Sequence, residues 1–95
     1  MRGYEVMFIL DADLDKETTE KTIEKVESLI KKNKGKIEKV DKWGRRKLTY
    51  LIDWHKDGFY TLIVFKGNNK TVAELNRVLK LTSEIIRFII VRIGQ

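Results

Sequence analysis

The chain has 95 residues, of which 42% are hydrophobic and 36% charged, with no cysteine, no proline and a formal net charge of +6. That length supports one domain over residues 1–95, burying about 60–65% of its unfolded surface, and the lack of cysteine excludes disulfides and thiolate chemistry. No apolar run approaches the roughly 20 residues of a membrane helix, and Met1-Arg2-Gly3-Tyr4 enters a strand-like pattern at once, so neither membrane contact nor a signal peptide is expected.

Residues 4–10, Tyr-Glu-Val-Met-Phe-Ile-Leu, read as a largely buried strand. Tyr4, Val6, Phe8 and Leu10 line one face, and Glu5, Met7 and Ile9 the other. A strand apolar on both sides is expected at the centre of its sheet. Residues 15–34 read as a helix with Asp15 as N-cap and Glu17 and Glu20 near the positive end of the dipole. Ile23, Val26 and Ile30 make its buried stripe. Lys31, Lys32 and Lys34 fill the last turn, and Gly35 stands at the expected stop.

Residues 36–52 read as one long strand with an interruption. Leu48, Tyr50 and Ile52 alternate, whereas Ile37 and Val40 are three apart, so the register changes, and Gly44 is the natural place for a bend or bulge. Asp57-Gly58 is a hairpin signal, with 59–66 as the return strand. A second helix covers about 71–81, with Thr71 and Glu74 matching a capping box and Leu75, Val78 and Leu79 on one face. Residues 85–93 form the last strand. The order β-α-β-β-α-β, with right-handed crossovers and a central hairpin, predicts a four-stranded antiparallel sheet of order 4-1-3-2 with both helices on one face. This is the ferredoxin-like α+β fold. It leaves the other sheet face open as a docking surface.

The positive charge is concentrated. Residues 34–47 hold seven basic groups and two acidic ones, net +5, and residues 66–95 hold six and two, net +4. Residues 1–33 are net −2 and residues 48–65 net −1. Such clustering suits a polyanion partner better than a uniformly solubilised surface. The sharpest cluster is Trp43-Gly44-Arg45-Arg46-Lys47, where guanidinium groups can pair with phosphate or stack on bases. The competing reading is an exposed edge strand guarded by lysines.

No catalytic apparatus is visible. Asp11, Asp13 and Asp15 do not make a calcium loop, because the sixth and twelfth positions are Lys16 and Thr22 where Gly and Glu are needed. His55 is the only histidine, has no nucleophile nearby, and cannot build a zinc site without cysteine. Asp53 and Asp57 read as turn residues. There is neither a GxGxxG sequence nor a P-loop. No enzyme activity, cofactor or metal is expected. RNA-recognition modules of this element order stack bases on aromatics of the two central strands, but residues 59–66 lack their Arg-Gly-aromatic-Gly signature.

These residues resemble a known family, the sixth small-subunit ribosomal protein of bacteria. Met1-Arg2-Gly3-Tyr4-Glu5 resembles its Met-Arg-x-Tyr-Glu start. Residues 43–52, Trp-Gly-Arg-Arg-Lys-Leu-Thr-Tyr-Leu-Ile, resemble its Gly-x-Arg-x-Leu-Ala-Tyr-Pro-Ile stretch. Gly58-Phe59-Tyr60, Leu75-Asn76-Arg77 and Ile85-Ile86-Arg87-Phe88 resemble its hairpin exit, second helix and last strand. The resemblance implies a structural constituent of the small ribosomal subunit in the cytoplasm. It implies binding to the central domain of 16S rRNA together with the eighteenth small-subunit ribosomal protein, the isolated chain being a monomer. Matched to the family, Arg2, Arg45, Arg46, Arg77 and Arg87 are candidates for rRNA or partner contact, and Lys47, Lys80 and Arg92 join them on charge. Leu51 stands where the family usually has proline, and the sequence ends at Gln95, so tail-mediated partner contact is expected to be reduced. RNA binding is then expected to rest on arginines and a partner, not on stacking across the sheet. The alternative is a ferredoxin-like module that binds a small regulatory ligand at its strand–helix loops.

Overall fold

The computed structural model describes residues 1–52 and 55–94, and of 49–52 and 55 the backbone alone. The elements are β1 (Arg2–Asp11), α1 (Lys16–Lys32), β2 (Lys36–Ile52), β3 (His55–Gly67), α2 (Asn69–Leu81) and β4 (Ile85–Ile93). The sheet is antiparallel, in the order β2-β3-β1-β4. This is the expected 4-1-3-2 order, and the architecture is ferredoxin-like.

β1 is central because its residues can be buried on both sides. Tyr4, Val6, Phe8 and Leu10 face a core completed by Ile63 and Phe65 of β3, Ile23, Val26 and Ile30 of α1, and Leu75 and Leu79 of α2. Both helices therefore cover the same face. Complete burial of each large aliphatic or aromatic side chain stabilises the fold by about 1.5–3 kcal/mol. Thr61 is the polar exception on this face. It pairs with Phe8 across the sheet, is fully buried, and its hydroxyl finds no hydrogen-bond partner among the described residues. A buried hydroxyl without a partner carries an unreturned desolvation cost. Thr61→Val is therefore expected to stabilise the chain by about 1 kcal/mol, seen as a higher urea midpoint at unchanged slope.

The helix ends follow from local hydrogen bonding. The Asp15 carboxylate accepts from the Thr18 amide at 2.7 Å and caps α1, and that bond holds its pKa below the usual aspartate value. At the other end, Gly35 N–H reaches Ile30 O (2.8 Å) and Lys34 N–H reaches Lys31 O (3.1 Å), the paired bonds of a Schellman ending. The left-handed residue there is Lys34, at φ 66°, rather than Gly35. The cap of α2 also differs from expectation. Asn68, not Thr71, is the N-cap: its side chain accepts from the Thr71 amide (3.0 Å), and Thr71 Oγ1 accepts from the Asn68 amide (3.2 Å). Thr71 Oγ1 also donates to Asn33 O at 2.7 Å, which ties the start of α2 to the end of α1.

The β2–β3 hairpin turns earlier in the chain than Asp57-Gly58 suggested. Both residues lie inside β3, Asp57 opposite Lys47 and Gly58 opposite Arg46, and the pairing continues to Ile52 opposite His55. Asp53, Trp54 and Gln95, with the side chains of His55 and Leu51, lie outside the described residues. Gly58 is explained by packing: a Cβ there would stand 2.3 Å from Ile9 Cγ2. The expected register change in β2 is present, with shifts between Ile37 and Lys39 and between Lys42 and Gly44.

Candidate nucleic-acid interface

The second shift is a bulge. Gly44 adopts φ +86°, and a Cβ there would meet nothing within 4 Å, so the backbone conformation and not space calls for glycine. The bulge places Trp43 on the open sheet face. There its ring stacks with Tyr60 of β3, centroids 6.4 Å apart and planes 9° from parallel. The Arg46 guanidinium carbon lies 5.5 Å from the Trp43 ring centre, within cation–π range. Across the sheet, register aligns Gly44, Tyr60, Ile9 and Arg87 in one row. The next rows toward the far end hold Leu62, Met7 and Ile89, then Val64, Glu5 and Val91. Ile89 and Val91 are exposed, at 59% and 43%.

The eight cations singled out from sequence fall into three groups. Arg45, Arg46 and Lys47 lie at the bulge, with Arg87 across the same end of the sheet. Arg2 and Arg92 lie near one another at the opposite end, where Arg92 faces Tyr4 and Arg2 faces Gly67. Arg77 and Lys80 lie on the exposed side of α2. The structure does not gather all eight into one patch.

Two of the eight are already engaged. Arg45 Nε donates to Asp57 Oδ2 at 2.8 Å, which holds the Asp57 carboxyl below its usual range and raises Arg45. Arg77 pairs with Glu74 one turn earlier on α2, again lowering the acid and raising the base. Both acids therefore stay ionised at neutral pH and compete with any phosphate. Arg2, Arg46, Lys47, Lys80, Arg87 and Arg92 are exposed and make no ion pair among the described residues.

Tyr60 was not a candidate from sequence, and Trp43 was noted only as an aromatic neighbour of the cations. Their proximity depends on the β2–β3 register, which the bulge shifts. A cavity of about 420 Å³ lies on the helix side of the sheet, bounded by the β1–α1 loop, α1 and the inner side of β2 and β3. Lys16, Lys42, Arg45, Asp11 and Glu20 carry its charge, over Phe59, Ile23 and Leu14. No group of three or more His, Cys, Asp or Glu side chains that could hold a metal occurs among the described residues.

Comparison with known proteins is decisive at this point. The sequence model of the family described as "Ribosomal protein S6" matches residues 3–92. The chain belongs to the ribosomal protein S6 family. It is 48% identical over 91 residues to small ribosomal subunit protein bS6 of Clostridium novyi (strain NT), covering 96% of each chain. It is 45% identical over 95 residues to bS6 of Thermoanaerobacter pseudethanolicus, covering 100% of each. The crystal structure of 30S ribosomal protein S6 from Thermotoga maritima superposes with a TM-score of 0.93 at 38% identity, over 97% of this chain and 87% of that one. That likeness fixes the fold as the family's own.

Proposed function

We propose that this member of the S6 family is a non-catalytic structural constituent of the small ribosomal subunit in the cytoplasm. It binds the central domain of 16S rRNA jointly with the eighteenth small-subunit ribosomal protein. The observation that carries this reading is the set of six exposed cations without an ion pair among the described residues, led by Arg46 and Lys47 at the bulge and Arg87 across the open face. Cations of this kind neutralise phosphates and release counterions. The apolar rows of the open face, Met7, Leu62, Ile89 and Val91, offer the area a protein partner would cover.

The test is a titration of a 16S central-domain fragment with and without the partner protein. If about five phosphates are neutralised, log K falls with log salt at a slope of roughly −3.5 to −4.5. Affinity then drops on the order of a hundredfold between about 50 and 200 mM salt. A flat response would sink the electrostatic reading. The Arg45→Ala/Arg46→Ala double variant is expected to assemble poorly while keeping its fold.

The Arg45–Asp57 pair makes a finer prediction. Arg46→Ala should cost more affinity than Arg45→Ala, because Arg45 must first leave its carboxylate. Asp57→Asn should free Arg45 and tighten RNA binding about tenfold, the low end for one charge-assisted contact. Unchanged affinity in Asp57→Asn would show that Arg45 does not face the RNA.

The cavity at the β1–α1 loop is what the small-ligand reading requires. A rise in melting temperature with free amino acids, together with a flat salt response, would favour that reading.

A further inference from the structure

We propose that Trp43 and Tyr60 form a stacking platform for one unpaired base of single-stranded RNA, with Arg46 and Arg87 holding the phosphates on either side. The proposal rests on the RNA-binding reading above and extends it from charge to base contact. Sequence reasoning pointed away from stacking, because the aromatic signature of RNA-recognition modules is missing from residues 59–66. The structure supplies aromatic surface by another route: the bulge at Gly44 brings a β2 side chain onto the open face beside a β3 tyrosine.

Four features converge on this spot. The two rings are stacked, 9° from parallel with centroids 6.4 Å apart, so an added base can continue the stack. Trp43 is 42% exposed, although an indole that served only the sheet would gain by being covered. The Arg46 guanidinium lies over part of the indole, 5.5 Å from its centre, and Arg87 ends the same row on β4. The row contains no acidic side chain. Asp41, in the adjoining row, is paired with Lys39 at 3.8 Å, and Asp11 turns an oxygen to the Asp13 amide of its own loop. An unpaired nucleotide offers both complements at once, a π-face for the rings and a phosphate on each side for the guanidinium groups. Duplex RNA does not, since its bases are already stacked.

The test uses the full chain carrying Trp54→Phe, which leaves Trp43 as the only tryptophan. Titration with an oligoadenylate of about seven nucleotides should quench Trp43 emission to saturation. Trp43→Ala should weaken binding about 5- to 150-fold, the range for losing one base stack, and Trp43→Phe should stay within a few fold. Arg87→Ala should make the salt slope shallower by about 0.7, the value for one phosphate of a single strand. Urea melts that agree between Trp43→Phe and Trp43→Ala exclude a folding defect. Saturable binding without quenching, or equal affinity in Trp43→Ala, overturns the platform. The same variants titrated against the 16S fragment separate the two levels. Unaltered rRNA binding by Trp43→Ala leaves the ribosomal reading standing and removes the platform; a wild-type chain that binds neither RNA removes both.

Discussion

Phe8→Ala is expected to remove most of the stability of the fold. Phe8 is fully buried on the central strand, with Thr61 beside it on β3 and Phe88 beside it on β4. Truncating such a phenylalanine costs about 3–5 kcal/mol, through lost transfer energy and the cavity left behind. Domains of this size hold only about 5–15 kcal/mol in total. The melting temperature should fall by roughly 12–40 °C, at about 4–8 °C per kcal/mol. Phe8→Leu, which leaves a smaller void, should cost less than about half as much. Calorimetry on the three proteins checks this. A loss under about 1.5 kcal/mol for Phe8→Ala would mean that the layer between sheet and helices closes over the gap.

Gly58→Ala is the second large effect, with an opposite cause, overcrowding instead of a void. The added methyl would lie 2.3 Å from Ile9 Cγ2 and 3.3 Å from Leu10 O. Ile9 is β-branched and already buried, at 9% exposure, so it cannot swing aside without leaving its rotamer well. Overpacking of this kind costs about 1–3 kcal/mol. The mechanism is separable by a double-mutant cycle. In an Ile9→Ala background the obstructing Cγ2 is gone, and the same Gly58→Ala change should cost less by about 1 kcal/mol or more. Additive losses would place the strain in the β3 backbone. Ile9 also sits beside Tyr60 and Arg87 in register, so Gly58→Ala should lower RNA affinity even at temperatures where the chain stays folded.

Periodicity carried the architecture. The doubly apolar 4–10 run pointed to a central strand, and the i, i+3, i+7 spacing of Ile23, Val26 and Ile30 marked the inner side of α1. Glycine was harder to read, because one residue type answers several needs. Gly44 was expected as a bulge and is one, at positive φ. Gly58 followed an aspartate and so resembled a turn, but what it answers is the close approach of Ile9. At the start of α2, Thr71 and Glu74 make a capping pattern in sequence, yet the residue that caps is Asn68. The choice of Asn68 is reinforced by a long-range bond, Thr71 Oγ1 to Asn33 O, which no local pattern contains.

Charge was legible as an amount per segment but not as availability. Arg45 and Arg46 are neighbours in sequence and alike in type, yet they project from opposite sides of β2. One meets Asp57, twelve residues away on the next strand, and the other lies against an indole. Strand alternation predicts that they diverge. Which of them finds an acid depends on the hairpin register, and the misplaced turn hid that. The Trp43–Tyr60 pair was hidden for the same reason.

The two borders of the sheet are unlike. β2 carries lysines at 36, 39, 42 and 47 and breaks its register repeatedly. β4 is regular in its pairing from Arg87 to Ile93 and carries only Arg87 and Arg92 among apolar residues. Backbone groups along a regular, apolar border can accept another strand, whereas a kinked, lysine-studded one resists it. A molecule with one adhesive border and one repellent border cannot be threaded into a fibre, because each addition consumes the sole point of attachment. Any self-pairing along β4 would be two-fold and would end there, as a closed pair.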